Sequence, residues 1–137
     1  MKMMEKVKQW KAFFVKLHAH EVISLAEKYC ERPPCGSCAP LAFAGWEAFP
    51  STVADCSLTK TGSLWDPNEE EPTLEEYYTN GTSYWSNSAP IALSFHPYNR
   101  CEVWQCTNCG HPFLRYTEYG GYYEEQRIRD LRPSLIV

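Results

Sequence analysis

Apolar residues recur at three- and four-residue steps through the first 29 residues of the chain. They form one stripe from Val7 to Tyr29, and most of the lysines lie off it. The pattern predicts a core-packing helix over residues 3–29, with a break near residues 18–21 as an alternative. Pro33 and Pro34 follow, so we expect the helix to end just before them.

The last third of the chain changes to an alternation of apolar and polar residues with a period of two. This pattern predicts strands at 102–106 and 112–118, joined around a cysteine pair. A turn through Gly120 and Gly121 predicts a third strand at 122–129, and the apolar tail is expected to dock on the core.

The middle of the chain has little regular periodicity. Residues 51–65 predict one or two short strands, and Asn80-Gly81 is a typical hairpin turn between residues 75–79 and 82–85. We therefore expect one α+β domain, with an N-terminal helix packed on a small antiparallel sheet. Its three parts are a helix at 1–30, a loop-rich insertion at 31–100, and a knuckle with a β-hairpin at 101–137.

Length and composition narrow the class of protein. A chain of 137 residues typically folds as one domain, and its net charge of −4 argues against non-specific nucleic-acid binding. Its N-terminal region has no clean apolar run longer than residues 12–15, so neither an export signal nor a membrane span is expected. We expect a cytoplasmic protein, where seven cysteines indicate metal or redox chemistry rather than disulfides.

The spacing of the cysteines supplies the candidate site. Six of them fall in two runs with the same spacing, Cys-x4-Cys-x2-Cys, beginning at Cys30 and at Cys101. A Cys-x-x-Cys turn directs two thiolates at one ion, and two such turns complete a tetrahedral zinc site. The predicted ligands of a structural zinc ion are Cys35, Cys38, Cys106 and Cys109.

The sequence CTNCG, between two predicted strands, resembles the knuckle of zinc ribbons and rubredoxin-like folds over residues 101–130. The resemblance implies a structural zinc site, with iron as the alternative metal. CGSC at 35–38 departs from the pattern, because its glycine lies inside the pair and Ala39-Pro40 follows. Closing the 67 residues from 39 to 105 costs about 4 kcal/mol plus a constant. Structural zinc supplies about 10–16 kcal/mol, which easily offsets that loop closure.

Other uses of the cysteines remain open. Cys30, Cys101 or His111 is an alternative ligand in place of one of the four. A thioredoxin-like redox pair at CGSC is disfavoured, because it follows a helix and two prolines rather than a strand. The cysteines can also be small buried hydrophobic residues. Four thiolates close the coordination shell, and no phosphate loop or nucleophile elbow is present, so we predict no enzyme.

An acidic segment at 66–76 carries six acids and no base, with aromatic residues on both sides. Carboxylates beside aromatic rings suit a surface that covers a basic protein partner. The candidate partner-binding residues are Trp65, Asp66, Glu69, Glu70, Glu71, Glu75, Glu76, Tyr77 and Tyr78. A cluster of four arginines and several tyrosines at 115–132 offers nucleic-acid binding as the alternative, although interleaved acids favour cross-strand ion pairs.

These observations favour a non-enzymatic binding protein stabilised by zinc. In size, acidity and lack of catalytic groups the chain resembles the immunity proteins of bacterial toxin systems, such as contact-dependent growth inhibition. That resemblance implies an inhibitor that covers the basic active site of a nuclease toxin. A zinc-ribbon nucleic-acid-binding or transcription accessory protein is the second hypothesis, and a metal- or thiol-dependent enzyme is the third.

Overall fold

The computed structural model describes residues 15–53 and 57–137. These residues form an α+β fold, in which a five-stranded sheet carries one α-helix. The regular elements are α1 (Ala19–Tyr29), β1 (Glu47–Ala48), β2 (Leu58–Ser63), β3 (Glu102–Cys106), β4 (Pro112–Tyr119) and β5 (Glu124–Asp130).

All strand pairs in the sheet are antiparallel, and the strand order is β1-β5-β4-β3-β2. The three strands predicted in the C-terminal third are confirmed as β3, β4 and β5. The connection between β4 and β5 is a short turn, closed by a 2.8 Å hydrogen bond from the Gly120 amide to the Tyr123 carbonyl. The apolar tail also docks as expected, since the Val137 amide donates to the Ile91 carbonyl at 3.1 Å.

Each face of the sheet has its own core, because successive side chains of a strand point to opposite faces. On one face, Val103 and Leu114 pack with Val22 and Ala26 of α1, and we call this the helix-side core. The other core surrounds the two cysteine turns, and we call it the knuckle-side core. It contains Cys38, Leu41, Leu58, Cys106, Phe113 and Ile128.

The prediction of one helix over residues 3–29 is wrong for residues 15–18, which the structure describes as non-helical. The predicted residues 1–14 lie outside the described residues, and α1 begins only at Ala19. Residues 15–17 instead follow the edge of β2, where the Leu17 amide donates to the Ser63 carbonyl at 2.7 Å. The helix starts after His18, whose amide donates to the Glu21 carboxylate at 3.1 Å. Backbone hydrogen bonding to the sheet edge therefore replaces the predicted helical turns.

The hairpin predicted around Asn80-Gly81 is wrong in its strands and right in its turn. Gly81 has a φ of +82°, which favours glycine, and the Thr82 amide donates to the Thr79 carbonyl at 3.1 Å. The flanking residues form no strand. Their backbone groups bond to distant parts of the chain instead, as in the 2.8 Å bond from the His96 amide to the Glu75 carbonyl.

Candidate metal centre and acidic surface

The second cysteine turn connects β3 to β4. Cys106 ends β3, and the turn closes through a 2.9 Å hydrogen bond from the Gly110 amide to the Cys106 carbonyl. Gly110 has a φ of +82°, a conformation that favours glycine. A Cβ atom at this position would also lie 2.6 Å from the Tyr29 hydroxyl oxygen, because the end of α1 covers the turn.

The first cysteine turn has a different local structure. It follows α1 and the two prolines, and the Cys38 and Ala39 amides both donate to the Cys35 carbonyl, at 3.1 and 2.8 Å. A short 3₁₀ turn over Ala39–Leu41 then carries the chain under the sheet. Gly36 has no positive φ and no neighbouring atom where a Cβ would lie. The glycine inside this pair is therefore not required by backbone geometry.

Two sets of hydrogen bonds hold the turns in place. The side-chain amide of Asn108 donates to the Ser37 hydroxyl at 2.6 Å and so joins the two turns directly. The amide and hydroxyl of Thr107 both donate to the Ser57 carbonyl, at 2.9 and 3.0 Å. Neither link was predicted, because no local pattern pairs residues so far apart in the sequence.

The sulfur atoms of the four predicted ligand residues come together, and all lie within 4.8 Å of one another. The Cys35 sulfur lies 3.6 Å from that of Cys106 and 3.9 Å from that of Cys38. The Cys38 and Cys109 sulfurs are 3.6 Å apart. Four ligands placed tetrahedrally about 2.3 Å from one ion are about 3.8 Å apart. The cluster therefore has the dimensions of a four-thiolate metal site.

The chemistry of the sulfurs also suits metal binding. All four cysteines are free thiols, and a disulfide would require sulfurs about 2.05 Å apart. The backbone amide of Cys38 lowers the pKa of the Cys35 thiol to about 6. Burial raises the pKa of the Cys38 thiol above its ordinary value. A bound cation would supply the positive charge that the buried thiolates need.

The alternative ligands lie outside this cluster. Cys30 is exposed and donates to the Glu27 carbonyl, whereas Cys101 is fully buried and donates to the Pro97 carbonyl. His111 is buried, and its Nε2 lies 2.5 Å from a carboxylate oxygen of Asp130. Cys56 lies outside the described residues.

The acidic segment is exposed, although it has no regular secondary structure. Five of its six acids, Glu69, Glu70, Glu71, Glu75 and Glu76, are exposed, and Asp66 is half-buried. Glu69 forms an ion pair with Lys16, with 2.8 Å between the carboxylate oxygen and Nζ. Within the described residues, this is the one ion pair that the segment makes. The other carboxylates have no described cationic partner, although Asp66 accepts hydrogen bonds from Asn68 and Glu76 accepts one from Tyr78.

Hydrogen bonds from the sheet side hold the acidic segment in place. The Asn99 side-chain amide donates to the Thr73 carbonyl at 2.9 Å, and the Arg100 guanidinium donates to the Pro72 carbonyl at 3.0 Å. The Trp65 indole donates to the Glu70 carbonyl at 3.1 Å. The segment is therefore a fixed surface, and the aromatic residues at its ends, Trp65, Tyr77 and Tyr78, are half-buried or exposed.

The arginine cluster is mostly buried. Arg115 lies between the rings of Phe49 and Trp104, with its guanidinium carbon 4.3 and 4.6 Å from the two ring centres. Arg127 and Arg129 are also buried, and only Arg132 of the four is substantially exposed. Three of these arginines therefore present little positive charge to a phosphate backbone.

A groove lies between the acidic segment and the end of the sheet, with a volume of about 660 Å³. Carboxylates, aromatic rings and cations all contribute to its walls. The lining includes Lys60, Trp65, Glu71, Arg100, Glu118 and Tyr119. The sequence gives no signal for this groove, because its walls come from β2, β3, β4 and the long connection between β2 and β3, which meet only in the fold.

Fold and cluster together define an α+β protein with a four-cysteine site that can hold a metal ion. Comparison with known proteins identifies no relative, since no family model matches the chain and no curated protein or solved structure resembles it significantly. Among the described residues, no helix is both long and apolar enough to cross a membrane.

Proposed function

We propose that the four clustered cysteines hold one zinc ion in a structural role. The observation that supports zinc is the convergence of the four sulfurs within 4.8 Å of one another. Three of the six sulfur–sulfur distances, 3.6 to 3.9 Å, are close to the edge of a tetrahedral thiolate site. Four protein ligands leave no open position for substrate, so the ion stabilises the fold rather than performing chemistry. In a reducing cytoplasm the thiols stay available for the metal.

The metal proposal is tested by elemental analysis of protein purified without added metal. We expect about one zinc per chain, and expression in excess iron distinguishes zinc from iron through the visible absorption of an iron–thiolate centre. A Cys38→Ser variant should lose the metal, whereas Cys30→Ser should keep it. Metal-free wild-type protein that is fully folded would contradict the proposal.

The role of the chain is to bind a basic protein partner through the acidic segment, without catalysis. The observation that carries this proposal is an ordered, exposed run of carboxylates of which only Glu69 has a described cationic partner. Opposite charges on the two surfaces steer the association and select the partner. An immunity protein that covers the active site of a nuclease toxin is the most specific form of this role. The cluster of arginines supports nucleic-acid binding less well than the acidic segment supports protein binding, since Arg115, Arg127 and Arg129 are buried.

The experiment is capture of partners by the tagged full chain, followed by charge reversal within the segment. Glu70→Lys combined with Glu75→Lys should abolish capture of a basic protein. Glu31→Lys combined with Glu124→Lys changes the net charge equally at exposed sites elsewhere, and should leave capture intact. If the captured protein is a nuclease, the chain should block its cleavage of nucleic acid. Equal loss in both double variants, or salt-sensitive binding of the chain itself to DNA or RNA, would contradict this role.

A further inference from the structure

The groove beside the acidic segment is large enough to receive a side chain from a partner. Its volume of about 660 Å³ lies within the range of sites that bind small ligands, about 300–1,000 Å³. Trp65 and Tyr119 supply aromatic walls, and Tyr119 is 71% exposed. The groove therefore offers ring faces to solvent where the acidic segment meets the sheet.

The cations of the groove are already engaged by the protein itself. Lys60 forms a 2.8 Å ion pair with Glu102, and Arg100 donates to the Pro72 carbonyl at 3.0 Å. His96 adds no positive charge at neutral pH, because burial and the nearby Arg100 hold its pKa below the ordinary value. Arg100 keeps its charge, because the Pro72 carbonyl is neutral. With Lys60 paired to Glu102, Arg100 stands against the carboxylates of Glu71 and Glu118, and the groove lining has a net charge of −1.

That negative charge comes from two carboxylates. Glu71 is exposed and makes no described ion pair. Glu118 lies 3.7 Å from Arg127, too far for a close hydrogen bond, and its side chain is 30% exposed. Both carboxylates can therefore accept hydrogen bonds from a cationic group that enters the groove.

The protein shows elsewhere how this fold holds an arginine. The guanidinium carbon of Arg127 lies 4.7 Å from the centre of the Trp85 ring, while its Nε donates to Glu125 at 2.9 Å. A ring face and a carboxylate thus act on one guanidinium, the ring by cation–π attraction and the carboxylate by a charge-assisted hydrogen bond. The groove presents the same two kinds of group to solvent.

We propose that the groove receives an arginine side chain of the basic partner, against the aromatic residues Trp65 and Tyr119 and the carboxylates of Glu71 and Glu118 that line it. This inference rests on the proposed role in binding a basic protein, and names the residue that the partner inserts. Arginine fits better than lysine, because its planar guanidinium stacks on rings and bonds two oxygens at once.

The test is an NMR titration of the zinc-loaded full chain, in which the Trp65 indole signal reports binding. The probe is a blocked Gly-Arg-Gly peptide, compared with the same peptide containing lysine or the neutral isostere citrulline. We expect the arginine peptide to bind about three- to tenfold more tightly than the citrulline peptide, as one cation–π contact and one exposed ion pair would give. Equal binding of the two peptides would overturn the proposal.

Matched variants test whether the arginine peptide binds in the groove. Tyr119→Ala and Glu118→Gln should each weaken binding of the arginine peptide about two- to fivefold. Tyr122→Ala and Glu124→Gln, at exposed positions of the same hairpin, should not. Retained zinc content and an unchanged amide spectrum away from the hairpin show that each variant is folded. Equal effects in groove and control variants would overturn the assignment.

The outcome also separates this inference from the proposed function. If reversal of Glu70 and Glu75 abolishes capture of the basic protein while Tyr119→Ala and Glu118→Gln leave it unchanged, the partner docks on the segment and the groove proposal is wrong. If the peptide binds in the groove but the charge reversal does not affect capture, the arginine site stands and the proposed role of the acidic segment is wrong.

Discussion

The side-chain amide of Asn108 donates a 2.6 Å hydrogen bond to the hydroxyl of Ser37, which lies 71 positions earlier in the chain. Each residue directly precedes the second cysteine of its own Cys-x-x-Cys turn. The two turns therefore touch through equivalent positions, above sulfurs that are already within metal-binding distance. This bond connects the two halves of the site independently of any ion.

Loss of this bond should speed release of the metal. Asn108→Ala leaves all four sulfurs in place but removes a link whose net contribution is about 0.5–1.5 kcal/mol. We expect zinc to transfer to a colorimetric chelator about two- to tenfold faster than from the wild type. Asn87→Ala, the same change at an exposed position away from the turns, is the control. Identical transfer rates in both variants would show that the bond does not restrain the turns.

Removal of the metal should destabilise the knuckle-side core in particular. Cys38 and Cys106 belong to that core and lie on opposite sides of the 67-residue connection. Without an ion, closure of the connection must be sustained by packing alone, so chelation should lower the Tm by on the order of 10 °C or more. Cys38→Ser should match the chelated wild type.

The control for this prediction is Cys30→Ser. Cys30 is exposed and lies outside the cluster, so its loss should leave the Tm and its response to chelator unchanged. Scanning calorimetry of both variants at fixed zinc concentration makes the comparison. A Tm for Cys38→Ser equal to that of Cys30→Ser would mean that the sulfurs converge without holding the fold.

The two glycines of the cysteine turns should respond oppositely to alanine. At Gly110 a Cβ would lie 2.6 Å from the Tyr29 hydroxyl, and the φ of +82° is strained for any other side chain. Gly110→Ala should therefore lower the free energy of unfolding by about 1–3 kcal/mol. At Gly36 nothing lies within 4 Å of such a Cβ, so Gly36→Ala should be neutral or slightly stabilising. Denaturant midpoints at fixed zinc measure both, and equal midpoints would contradict the difference in backbone geometry.

The parts of the fold that the sequence predicts are those with a local signal. Alternation with a period of two identified β3, β4 and β5, and the spacing of the cysteines identified the sulfurs that come together. The cysteine prediction succeeded across a long connection because four thiolates with this spacing have a shared chemical use. Chemistry supplied the long-range information that periodicity lacks.

The parts that the sequence does not predict depend on contacts between distant segments. An amphipathic stripe ran on through residues 15–17, yet the edge of β2 offered their backbone a better partner than another helical turn. Arginine is usually exposed, and the burial of Arg115 required two rings, from Phe49 and Trp104, that arrive from different elements. The local sequence pattern indicates neither the pairing of residues 15–17 with the sheet edge nor the burial of Arg115.

Arg129 is fully buried, and no ion pair between it and a carboxylate is seen within residues 15–53 and 57–137. Its buried charge therefore depends on neutral hydrogen-bond acceptors. Its guanidinium instead donates to the Tyr98 hydroxyl at 2.6 Å and to the carbonyls of Ala44 and Ala89 at 2.7 and 3.2 Å. A lysine ammonium keeps the charge but lacks the planar fork that reaches these separated acceptors. Arg129→Lys should therefore lower the free energy of unfolding by about 3 kcal/mol, whereas Arg132→Lys, at a half-exposed position, should change it by less than about 0.5 kcal/mol. Equal unfolding midpoints for the two variants would mean that the helix-side core needs only a positive charge at this position, and not the shape of the guanidinium.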